Sequence, residues 1–206
     1  MRLTDVLARL KKLEAPVFRT ADVMAYLDIR KDHASRLLTR LKDSNHIVCI
    51  KRGLWVFPEA LEPLALPEHL TAPFPSYISM QSALYYHGMI SQIPAITYSV
   101  SPARTHLFKT PLGTFSIHHV TPEFFFGYEP AGKSGIKMAV PEKALLDFFY
   151  MGPAKSKLFR SLPELDLPKK FNIMNARRMI KRINSPGRRT LVEMRFQELM
   201  TELKKS

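Results

Sequence analysis

Cysteine is almost absent from these 206 residues: Cys49 stands alone. An intramolecular disulfide and a cysteine-based zinc site are therefore excluded. No stretch approaches the roughly 18 uncharged apolar residues of a spanning helix. The opening MRLTDVLARLKKLEAP is charged throughout and lacks the apolar centre of a secretory signal. The expectation is a soluble, cytoplasmic protein with no membrane partner. Repeats at solenoid periods are missing. So are H-E-x-x-H, Asp-x-Asp and Gly-x-Ser-x-Gly, the usual carriers of zinc proteolysis, nucleotidyl transfer and serine hydrolysis. The sequence predicts no enzyme, no metal and no cofactor.

What is present fits a folded chain: 46% hydrophobic and 24% charged residues, enough to bury a core. Acidic residues are outnumbered 18 to 31, leaving a net charge of +13. The excess is uneven. Residues 1–58 carry a net +6, residues 59–149 a net −2, and residues 150–206 a net +9. Basic ends around a neutral middle favour a polyanionic partner, most often nucleic acid. A merely solvated basic surface is the alternative.

Proline divides the chain. PEALEPLALPEHLTAPFP, from Pro58 to Pro75, holds five prolines and cannot form a continuous helix or a central strand. The division is residues 1–58, a linker or strap at 59–75, and an α+β domain at 76–206 ending in basic helices. Further breaks fall at Gly152-Pro153 and Ser185-Pro186-Gly187.

Before the linker, Leu3, Val6, Leu7, Leu10 and Leu13 predict a helix over 3–14. Thr20 caps a second over 21–27, and a turn at Asp28 and Ile29 leads to a third over 31–43. Strand-like runs Ile47–Ile50 and Leu54–Phe57 follow, joined by Lys51-Arg52-Gly53. Three helices and a hairpin make a winged helix-turn-helix, so the predicted fold class is α+β: a winged helix, then a mixed α/β domain with a helical basic C-terminus. In the middle, Ser79 caps a helix through Tyr86, stopped by Gly88. Strands are expected at Thr97–Ser101, His106–Lys109, Thr114–Val120, Glu123–Tyr128 and Ile136–Val140. Pro141 opens a helix buried through Ala144, Leu145, Phe148 and Phe149. Helices over 172–184 and 190–204 close the chain.

In a helix-turn-helix the second helix of the motif enters the major groove of duplex DNA. With Ala34, Leu37, Leu38 and Leu41 inward, the third helix presents Lys31, Asp32, His33, Ser35, Arg36, Thr39 and Arg40. These can donate to guanine, accept from cytosine and touch phosphate. Asp32 can instead complement its own helix terminus. Lys51 and Arg52 occupy the wing tip, and Arg19 and Thr20 could hold a phosphate on free backbone N–H groups. A protein-docking role for the same unit stays open. So does a protein- or RNA-interaction module without specific DNA readout.

The order of parts carries a resemblance. GLWVFP (Gly53–Pro58) is followed by YISMQSALYYHGMI (Tyr77–Ile90), a Thr-Pro pair with an aromatic run (Thr121–Phe126), and VPEKALLDFFY (Val140–Tyr150). The telling residues are Ser79, Ser82, Ala83, Leu84, Gly88, Pro141, Glu142, Lys143, Ala144, Leu145 and Asp147. The chain resembles the AbiEi-type antitoxins, regulators of type IV toxin–antitoxin pairs in abortive infection. The resemblance implies a cytoplasmic repressor whose winged helix binds inverted repeats in its own promoter. It also implies a C-terminal domain that counters a nucleotidyltransferase-like toxin without a stable complex.

Several residues look chemical. Gly127–Ser134, GYEPAGKS, fits the pattern of a phosphate-binding loop, the basis of a nucleotide-binding enzyme as a further alternative. A strand precedes it, but the required helix has no room before Pro141, so a hairpin loop is the simpler expectation. His118 and His119 point to opposite faces of a strand and cannot share a metal. Glu142 and Asp147 lie on different helix faces, with Glu142 placed to favour the helix N-terminus. Phe124-Phe125-Phe126 is expected as strand core. In the C-terminal helices Arg177 with Lys181, and Arg178 with Arg182, are like-charge i,i+4 pairs that repel. Flanked by Lys169, Lys170, Arg188 and Arg189, they suit phosphate, on flanking DNA or on RNA; a solvated helical cap is the alternative.

Overall fold

In the computed structural model, which describes residues 2–132, 136–152 and 165–203, eight α-helices and two β-sheets form a mixed α+β architecture. Helix α1 spans Leu3–Lys11 and buries Val6 and Leu10. It stops short of residue 14, because Glu14 takes a left-handed conformation (φ 52°) that turns the chain toward Pro16. Strand β1, Val17–Arg19, follows, too short for periodicity to reveal. Helices α2, Thr20–Leu27, and α3, Lys31–Asp43, are joined through Asp28 at φ 53°. Strands β2, Val48–Lys51, and β3, Leu54–Val56, complete an antiparallel sheet ordered β1-β3-β2. Ala34, Leu37, Leu38 and Leu41 of α3 pack in one cluster with Val6, Leu10, Val23 and Trp55.

The proline-rich stretch is no extended linker. It folds into 3-10 turns at Pro58–Ala60 and Pro63–Ala65 and a short helix α4, Leu66–Thr71. Pro58, Pro63 and Pro67 each stand in a first turn, where the missing N–H costs nothing. Leu61, Leu66 and Leu70 are buried in a cluster with Ile50, Leu54 and Val56 from the first sheet and Phe115 from the second.

The second sheet is ordered β6-β7-β5-β4-β9-β8. Its strands are β4, Tyr77–Ile78; β5, Thr97–Ser101; β6, His106–Thr110; β7, Gly113–His119; β8, Tyr128–Ala131; and β9, Ile136–Ala139. The β5–β7 and β4–β9 pairs are parallel and the rest antiparallel. Helices α5, Met80–Tyr86; α6, Pro141–Met151; α7, Ile173–Lys181; and α8, Pro186–Glu202 contribute to the main core with it.

Three expectations need correction here. Glu123–Tyr128 is not a strand: a 3-10 turn at Pro122–Phe124 precedes an irregular run to Gly127 (φ 75°), because Pro122 fixes a turn and the phenyl rings pack around Lys143. The break between α7 and α8 falls at residues 182–185, and Pro186 and Gly187 already belong to the start of α8. The Ser185 hydroxyl accepts from the Arg188 N–H and Pro186 occupies the first turn. Helix α7 also closes earlier than residue 184, at Lys181. Among the described residues, no helix is long and apolar enough to cross a membrane.

Candidate nucleic-acid interface

Four buried side chains fix how α3 is rotated, and the opposite face is open. Lys31, Asp32, His33, Ser35, Arg36, Thr39 and Arg40 are all exposed. Arg36 Nε reaches the Asp32 carbonyl at 3.4 Å and the Thr39 hydroxyl donates to the Ser35 carbonyl at 3.0 Å. These contacts run along the helix itself, so no other element covers the ridge through them. Asp32 lies in the first turn, where its charge complements the helix terminus. Arg30, immediately before α3, is exposed as well. Sequence reasoning passed over it because it stands outside the helical period.

The turn between β2 and β3 is more occupied than the sequence suggested. The Lys51 ammonium donates to the Leu70 carbonyl at 3.1 Å and lies 5.3 Å from the Phe108 ring centre. Partial burial, and then the nearby Arg19 charge, lower its pKa. Lys51, though exposed, therefore ties the first sheet to α4, and Arg52 next to it is exposed as well. The backbone N–H groups of Arg19 and Thr20 are not free for phosphate. The first donates to the Asp22 carboxylate at 2.6 Å and the second to the Gly53 carbonyl at 3.0 Å. Nor is Thr20 a cap: Arg19 holds that position, and the Thr20 hydroxyl accepts from Trp55 Nε1 at 2.9 Å. What remains at this corner is the Arg19 side chain, exposed as that of Arg52 is.

The C-terminal basic set divides in two. Arg182 lies 3.5 Å from the Phe126 ring centre. Arg188 donates to the Tyr150 carbonyl and covers its ring, and Arg189 donates to the Ile183 carbonyl at 2.8 Å. Arg177 reaches Gln197 at 3.5 Å. Lys169, Lys170, Arg178 and Lys181 are exposed with no partner among the described residues. The first group serves packing through guanidinium stacking and carbonyl contacts; the second is open to an anion.

Helix α6 holds a group that amphipathic reasoning missed, because it is buried nearly all round, charges included. Lys143 and Asp147, both fully buried, form an ion pair at 2.5 Å. The Tyr77 and Ser79 hydroxyls donate to the other Asp147 oxygen at 3.0 and 2.7 Å. Ser79 thus holds the cap position of α5 but turns its hydroxyl to Asp147 instead of to the helix. The Lys143 ammonium sits 3.3 Å from the Phe124 ring centre, and burial pushes its pKa down to about 8. Burial, followed by the Asp147 charge, drives the Tyr77 hydroxyl well above its ordinary value. Sealed from solvent, this group braces α6 against β4 and the phenylalanine run. Glu142 serves neither this group nor its own helix start alone: its carboxylate accepts from the Asn172 N–H at 2.6 Å, anchoring α7.

His118 is buried and bonded to the Ser116 hydroxyl at 2.9 Å, whereas His119 is exposed on the other face of β7. In the GYEPAGKS run, Tyr128–Ala131 form β8, the antiparallel partner of β9; its Lys133 and Ser134 lie outside the described residues. No protein-family model matches the chain, and no curated protein matches it in sequence.

Proposed function

We propose that the protein is a DNA-binding transcription regulator, with residues 1–58 acting as a winged helix-turn-helix and α3 as its recognition helix. The observation that carries this is the open polar ridge of α3 above four fully packed apolar residues. Arg36 and Lys31 read guanine edges, Ser35, Thr39 and Arg40 position phosphates, and Arg52 and the Arg19 side chain anchor the flanking backbone. The resemblance to AbiEi-type antitoxins extends this to a cytoplasmic, non-enzymatic repressor of its own promoter. The domain after the proline-rich segment then counters a nucleotidyltransferase-like toxin. Lys169, Lys170, Arg178 and Lys181 supply further phosphate contacts.

A mobility-shift titration on the gene's own upstream region tests the proposal. Arg36→Ala should weaken specific binding by about 1–3 kcal/mol and relax preference at one base position. With about six phosphates neutralised, log affinity against log salt should slope near −5. Unchanged binding by the Arg36 variant would remove it from base readout. A slope near zero would refute phosphate anchoring altogether.

A further inference from the structure

A cavity of about 140 Å³ lies between the proline-rich segment and the second sheet. Pro67, Glu68 and His69 form one wall, and Ser76, Ile78 and Lys137 the other. Lys137 Nζ and Glu68 Oε1 join the walls at 2.5 Å. Ser76 is 2% exposed, and its hydroxyl has no hydrogen-bond partner among the described residues. A buried hydroxyl in that state is costly and gains from any ligand that satisfies it. Burial lowers the His69 pKa, so at neutral pH the ring offers one donor and one acceptor.

The chemistry of the walls selects the ligand. A molecule that opens the Glu68–Lys137 pair has to replace both partners. A simple anion would leave Glu68 facing like charge, and a simple cation would do the same to Lys137. A cavity near 150 Å³ accommodates a molecule of about six heavy atoms. The geometry points to a small zwitterionic α-amino acid, between glycine and serine in size, as an effector held by Lys137, Glu68 and Ser76. Its carboxylate meets the ammonium, its amine meets the Glu68 carboxylate, and a polar atom satisfies Ser76.

The cavity is also placed to transmit. Leu66 and Leu70, on the helix that lines it, pack against Ile50, Leu54 and Val56 of the first sheet. The Leu70 carbonyl holds Lys51. A displacement of α4 therefore bears on the turn that carries Arg52. That effect on DNA affinity rests on the function proposed above; the binding site does not.

Calorimetric titration of the full chain at neutral pH with glycine, L-alanine and L-serine, and with acetate and ethylamine as single-charge controls, decides the matter. At least one amino acid should bind saturably, and the controls about tenfold more weakly or not at all. Lys137→Met should weaken binding by about tenfold or more. Ser76→Ala, which removes a hydroxyl without a partner and so spares the fold, should weaken it as well. No heat from any amino acid at millimolar concentration overturns the site. Equal binding of acetate overturns the zwitterion assignment, and indifference to both substitutions overturns the location. Amide hydrogen exchange in residues 48–56 should slow on binding; no change there overturns the coupling without reference to DNA. Loss of all DNA binding with calorimetry intact would refute the proposed function alone.

Discussion

Asp147→Ala should lower the free energy of unfolding by about 3–5 kcal/mol in urea denaturation followed by circular dichroism, because it strands a buried charge. Asp147 is fully buried, and one of its oxygens holds Lys143 while the other accepts from Tyr77 and Ser79. The truncation leaves an ammonium in a wall of phenyl rings and two hydroxyls without their acceptor. Cation–π attraction from Phe124 and Phe126 offsets only part of that loss, of order 2 kcal/mol for a desolvated pair. The double substitution Lys143→Met with Asp147→Leu removes both charges and should recover part of the stability, the Tyr77 and Ser79 hydroxyls still lacking their acceptor. A single variant within 1 kcal/mol of the parent would show that the pair is not what braces α6.

Acid should destabilise the chain through His118. Burial pushes its imidazole down to about 4, whereas the unfolded chain binds that proton near its ordinary value of about 6.5. Between those two values the unfolded state holds more protons, so stability present above pH 6.5 is lost as pH falls toward 4. At about 1.4 kcal/mol for each pH unit, the loss attributable to this residue approaches 3 kcal/mol. Comparing unfolding free energies of the parent and His118→Gln from pH 7 to pH 4 isolates it from the carboxylates, which both share. The variant should show the shallower decline. Identical slopes would mean that His118 already takes up its proton in the folded state.

The elements legible from sequence were those with a full period of buried residues. In α3 the spacing of Ala34, Leu37, Leu38 and Leu41 fixed both the boundaries and the exposed ridge, since a helix with one packed stripe has one orientation. Strands β5, β6 and β7 followed from their alternation and from the turn at Thr110–Gly113. Errors arose where proline was treated only as a breaker. At Pro63, Pro67 and Pro186 it stands in the first turn of a helix or 3-10 turn.

Composition and periodicity alone determined the mixed α+β class, the basic ends and the face that α3 turns outward. These depend on local spacing and on charge, which the chain carries whatever it packs against. Tertiary structure decided which charges are available. Lys51, Arg182 and Arg188 resemble Arg52 and Arg178 in sequence, yet carbonyls and rings far along the chain engage them. It also decided that Lys143 and Asp147 face each other in the core beside Tyr77 and Ser79, roughly seventy residues away. Burial and partnership are properties of contacts between distant segments, and no local pattern encodes them.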